Sequence, residues 1–171
     1  YGIASGMSYL HHNNIIHRDL KTENILMDEY LLPKISDFGL SKVNSTEISS
    51  LNVDSISGLK GTPKYMAPEL FNEGKYSEST DVYAFSIVVY EIVTANEAFQ
   101  NLNFFTLITK IRSNERPDIS GIQEPMRGLI QRCWSQNPLE RPNFDQIVAE
   151  LKENHDFITD LVDENEFIEY V

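Results

Sequence analysis

Cysteine is nearly absent. The single one, Cys133, excludes an intrachain disulfide and cannot build a thiolate metal site alone, which fits a reducing intracellular, cytoplasmic setting. Basic residues are scarce as well: 14 lysines and arginines face 26 acids, for a formal net charge of −12 and a pI near 4.7. That balance argues against a nucleic-acid groove or an anionic membrane surface as the main partner. Long apolar runs are missing too. The longest, Val82 to Val93, is interrupted by Ser86 and Glu91 and is too short to span a bilayer, and no signal-peptide pattern precedes it. Neither an internal repeat nor a low-complexity segment occurs. What remains is an ordinary globular composition, 41% hydrophobic and 11% aromatic over 171 residues, enough for one sizeable core.

Against this background one stretch stands out: His17-Arg18-Asp19-Leu20-Lys21-Thr22-Glu23-Asn24, dense in acids, cations and an amide. Ile15-Ile16 before it and Ile25-Leu26-Met27 after it read as short buried strands, so the polar residues sit on a loop pinned at both ends. Polar and proline-containing residues 28–33 then predict a hairpin between Ile25-Leu26-Met27 and Lys34-Ile35-Ser36, which delivers Asp37-Phe38-Gly39. From Ser41 to Gly61 apolar periodicity disappears and Ser, Thr and Asn dominate, the composition of a mobile segment. Gly61-Thr62-Pro63-Lys64-Tyr65-Met66-Ala67-Pro68-Glu69 closes it.

The order His-Arg-Asp-Leu-x-x-x-Asn, then Asp-Phe-Gly, then Ala-Pro-Glu resembles the protein kinase family, and it matches at every fixed position of the catalytic loop. The resemblance implies the mainly α large (C-terminal) lobe, with a short β-hairpin, over residues 1–151, its catalytic loop at 17–24 and a long activation segment at 37–69. It also implies ATP with Mg²⁺ as phosphoryl donor and protein substrates as acceptors. Asp19 would then orient the acceptor hydroxyl and take its proton, and Lys21, two residues on, would neutralise charge on the transferred phosphate. Asn24 and Asp37 would supply hard oxygen ligands to Mg²⁺, Gly39 would let the backbone bend, and Leu26 would lie beneath the adenine ring. His17 and Phe38 belong to the same two motifs.

Thr62 together with Lys21 resembles the pattern of serine/threonine kinases, and the run from Cys133 to Phe144 looks like their tyrosine-kinase-like group. Glu69 resembles the carboxylate that pairs with a distant arginine, here Arg141, and Asp81 the acid that reaches back to the catalytic-loop backbone. Arg18 and Lys42 resemble a phosphate-receiving pocket, which makes Ser55 and Ser57 the expected sites of modification by an upstream activating kinase. No Gly-x-Gly-x-x-Gly loop and no Val-Ala-Ile-Lys strand occurs in these 171 residues, so the chain reads as a lobe without its smaller partner and inactive alone. A noncatalytic binding module is the rival reading. A small-molecule phosphotransferase is disfavoured by the activation segment and Ala-Pro-Glu.

The remaining sequence is helical in pattern. Ser79-Thr80-Asp81 predicts the cap and first turn of a buried helix running to Val93. Phe104, Leu107, Ile108 and Ile111 predict one amphipathic face, Met126, Leu129, Ile130, Cys133 and Trp134 a second, and Phe144, Ile147, Val148 and Leu151 a third. Asn143 and Gln146 have capping-box spacing. Residues 152–171 form an acidic tail in which a further short helix, or a docking segment, is expected.

Overall fold

A computed structural model of the chain describes residues 1–38, 41–43, 61–158 and 163–171. Helix α1 (Gly2–His12) leads in, burying Ala4, Met7 and Leu10 along one stripe, and its last turn carries His11 and His12 where the helix dipole favours cations. Strands β1 (Ile15–Ile16) and β4 (Lys42–Val43) pair antiparallel, which ties the residues just before the polar loop to a short strand inside the stretch that lacks apolar periodicity. Strands β2 (Ile25–Met27) and β3 (Pro33–Ile35) form the hairpin, with Leu26 opposite Lys34. Only Ile25 of its first strand packs against the core; Leu26 and Met27 are 55% and 56% exposed, uncovered by a second layer among the described residues.

Helix α2 (Leu70–Glu73) is a single turn that ends at Gly74, whose φ of +63° suits glycine. Helix α3 (Glu78–Thr94) runs through the centre of the lobe and is buried on nearly every side from Thr80 to Val88, as a helix that is apolar nearly all round requires. Its cap lies two residues earlier than Ser79. Ser77 takes the extended conformation, and the Thr80 hydroxyl accepts its N–H.

Helices α4 (Phe104–Arg112), α5 (Met126–Cys133) and α6 (Phe144–Glu153) follow the three apolar faces, except that Phe104 is 39% exposed at the start of α4. Asn143 and Gln146 exchange side-chain-to-backbone bonds of 2.9 Å at the head of α6. Met7, Tyr83, Ile87, Leu129, Ile130, Phe144 and Ile147 fill the space between α1, α3, α5 and α6. Truncating a fully buried isoleucine such as Ile147 to alanine costs about 2–5 kcal/mol. The acidic tail carries helix α7 (Glu164–Tyr170), capped by Asp163, and folds back so that Phe167 and Tyr170 meet the Tyr1 ring edge-on at 6.1 and 5.6 Å. No helix among the described residues is long and apolar enough to cross a membrane.

Candidate active site

The polar loop is held from below by one carboxylate. Asp81, 2% exposed near the start of α3, accepts the His17 N–H at 2.8 Å and the Arg18 N–H at 2.9 Å, and lies 3.0 Å from His11 Nε2. Two backbone donors that a loop would otherwise strand are thereby satisfied. His17 is fully buried, and its Nδ1 accepts the Asp19 N–H at 3.3 Å. The proton therefore sits on Nε2, which donates to the Ser36 carbonyl at 3.1 Å. Its ring also lies 5.5 Å from the ring of Phe38.

Asp19, with 9% exposure, is the hub. Oδ2 faces Lys21 Nζ at 3.0 Å, and Oδ1 accepts the Thr62 N–H at 3.2 Å and its hydroxyl at 3.4 Å. Lys21 Nζ also donates to the Thr62 hydroxyl at 3.3 Å, so the polar loop and residues 61–62 share one hydrogen-bonded knot. Gly61 makes this close approach feasible. It has φ +112°, and a Cβ there would lie 3.0 Å from the Arg18 carbonyl.

Asn24 is buried, and its Nδ2 donates to the Asp19 carbonyl at 2.8 Å, which leaves Oδ1 as the acceptor end. The Ser36 N–H and hydroxyl both donate to the Asn24 carbonyl, at 2.8 and 3.0 Å, and so anchor the residue before Asp37 beside Asn24. Asp37 is exposed and itself takes the left-handed conformation, φ +61°, which aspartate tolerates better than most residues. The donor set of one amide oxygen and one carboxylate matches the preference of Mg²⁺, which binds through one or two carboxylates plus substrate phosphates. Leu26, two residues after Asn24 in the chain, and Phe38, next to Asp37, are both about half exposed.

Arg18 has φ +71°, and its guanidinium lies over the Tyr76 ring at 5.2 Å. Its Nε is buried without a hydrogen-bond partner among the described residues. Lys42 is placed by its strand pairing with Ile16, but its side chain, like Gly39, Ser55 and Ser57, lies outside the described residues. Glu69 and Arg141 stand apart from this cluster. They form a two-pronged pair at 2.7 and 2.8 Å, with the arginine side chain fully buried and donating further to the Ser79 and Ser135 carbonyls.

One node escapes the sequence reading. Glu91, which looked like a mere interruption of the apolar run, accepts the Tyr65 hydroxyl at 2.6 Å, the Thr22 hydroxyl at 3.2 Å and the Ala98 N–H at 3.0 Å, and pairs with Lys64 at 2.9 Å. Burial alone would raise its pKa, but the Tyr65 and Lys64 hydrogen bonds and the Ala98 N–H hold it below the usual 4.5. Burial and the bond to Glu91 push the Tyr65 phenol up to about 12. The only signal in the sequence was an acid inside an otherwise apolar stretch.

A family model described as protein tyrosine and serine/threonine kinase matches residues 1–151. The chain is 39% identical over 152 residues to the serine/threonine/tyrosine-protein kinase HT1 of Arabidopsis thaliana, covering 88% of the chain and 37% of that protein. It is 42% identical over 155 residues to the dual specificity protein kinase shkA of Dictyostelium discoideum, with 88% and 29% covered. To the serine/threonine-protein kinase STY17 of Arabidopsis thaliana it is 37% identical over 153 residues, with 88% and 26% covered. The chain thus spans between 26% and 37% of the length of these three relatives.

Proposed function

Because the chain belongs to the protein tyrosine and serine/threonine kinase family, we propose that it is the catalytic large lobe, residues 1–151 followed by the acidic tail 152–171, of a kinase that phosphorylates serine and threonine in proteins. The observation that carries this reading is the knot of Asp19, Lys21 and Thr62, with Lys21 Nζ 3.0 Å from the Asp19 carboxylate and 3.3 Å from the Thr62 hydroxyl. ATP with Mg²⁺ supplies the transferable γ-phosphoryl group and the charge that stabilises it.

The chain's own part is positioning and proton transfer. Asp19 orients an acceptor hydroxyl and takes its proton at a carboxylate oxygen, and Lys21 sets a cation beside that carboxylate, within reach of the incoming phosphoryl oxygens. Asn24 Oδ1 and the Asp37 carboxylate would hold the metal. Leu26, exposed on β2, would carry the adenine. Arg18 fits an anion receiver, since its buried Nε lacks a partner among the described residues. A phosphate on Ser55 or Ser57, placed by an upstream kinase, is the anion we favour.

The test is phosphoryl transfer from labelled ATP·Mg²⁺ to serine, threonine and tyrosine peptides by this lobe joined to a small lobe with a glycine-rich loop. Transfer to serine and threonine, abolished by Asp19→Asn and by Asp37→Asn with the thermal transition intact, is expected. Transfer that survives Asp19→Asn, or that goes to tyrosine alone, would overturn the reading.

A further inference from the structure

A cavity of about 800 Å³ lies at the C-terminal end of α3, and none of the residues grouped around Asp19 lines it. Its walls come from the last turn of α3, from residues 118–126 and from residues 156–158. The last wall lies beyond residue 151, where the match to the family model ends.

Val93, Ile122, Met126 and Phe157 give the cavity an apolar floor, and Val93 is 44% exposed there. Among the described lining residues every charged one is acidic: Asp118, Glu124 and Asp156. Glu124 is tied up by Arg127 Nε at 3.1 Å and the Gly128 N–H at 3.0 Å. Among the described residues Asp118 accepts only neutral donors, the Ser120 N–H and hydroxyl, and these hold its carboxyl below the usual range. Neither Asp118 nor Asp156 meets a lysine, arginine or histidine in an ion pair among the described residues. A greasy floor beneath two unneutralised carboxylates has the size of a binding site and an unfilled demand for positive charge.

We propose that this cavity docks a segment of a partner protein in which an aliphatic anchor is flanked by lysines or arginines. In an extended segment the anchor points into the floor while its two neighbours turn outward to the acidic rim. A second copy of this chain is a poor occupant. Its net charge is −12, and its own stretch of that pattern, Lys110-Ile111-Arg112, has Ile111 fully buried within α4.

The experiment measures fluorescence polarisation of a labelled peptide with leucine between paired arginines, titrated with the 171-residue chain at several salt concentrations. Asp118→Asn/Asp156→Asn should weaken binding by about tenfold or more. Glu29→Gln/Glu73→Gln, which removes the same charge from exposed sites elsewhere, should weaken it far less. Val93→Arg, which puts a cation into the cavity from a half-exposed position, should compete with the peptide. All these positions are exposed at the surface, and intact thermal transitions verify the fold of each variant. Equal weakening by the two acid pairs, or equal binding of a peptide with serine replacing leucine, would mean general attraction to an acidic protein and would overturn the proposal. So would the absence of saturable binding.

Discussion

Tyr83 lies between two guanidinium groups, Arg116 at 5.3 Å and Arg141 at 5.2 Å, while its fully buried hydroxyl has no hydrogen-bond partner among the described residues. Burial pushes the phenol up to about 12, so the group stays neutral and unpaired. Phenylalanine would keep the ring and both cation–π contacts while removing the orphan. Tyr83→Phe should therefore leave stability unchanged or raise it by about 1 kcal/mol, read from urea midpoints. A clear loss would mean that a buried water satisfies the hydroxyl. At this scale the sequence was most informative where the chemistry is contiguous. Asp19, Lys21 and Asn24 lie within one short loop, so their types and order could be read together. Glu91 could not be read that way, because its partners Tyr65 and Thr22 come from 26 and 69 residues away.

Helix α3 joins the elements. Asp81 near its start holds the polar loop of residues 17–24, and Glu91 near its end ties that loop to the residues after Gly61. The folded Glu91 carboxyl titrates below its usual 4.5, so its contribution is fully present above pH 4.5 and is lost as pH falls through the lower folded value. Glu91→Gln should flatten the acid limb of a stability–pH profile below pH 4.5. An unchanged limb would assign acid sensitivity to other carboxylates. The Glu69–Arg141 pair connects the segment before α2 to the turn before α6. Removing either partner strands a desolvated charge, so each single alanine variant should cost about 3–5 kcal/mol and the double variant much less than their sum. Additive losses in the cycle would mean that the pair is not one unit. Element types were legible from periodicity, but edges shifted where a hydroxyl found a better geometry. Ser77 caps α3 because Thr80 can answer it from one turn on, a reciprocity that Ser79 lacks.

For the molecule as a whole, Asn24 and Asp37 would furnish one side of the proposed nucleotide site, and no glycine-rich loop occurs in these 171 residues to furnish the other. We propose that these 171 residues alone bind ATP·Mg²⁺ weakly and transfer no phosphate. Calorimetry returning an affinity near ~1 µM would refute this. The exposed Leu26 and Met27 illustrate why sequence misjudged burial. An apolar triplet looks the same whether or not a layer covers it, and only the packing decides. By itself the sequence determined the family, the order of the motifs, the helical faces of the core and the candidate groups for chemistry, because each is written in neighbouring residues or in a short period. Tertiary structure alone decided that Glu91 is a junction, that Phe167 and Tyr170 return to Tyr1, and that acids distant in sequence rim one cavity. Those contacts join residues far apart along the chain, and no local pattern encodes which distant partner will satisfy a buried polar group.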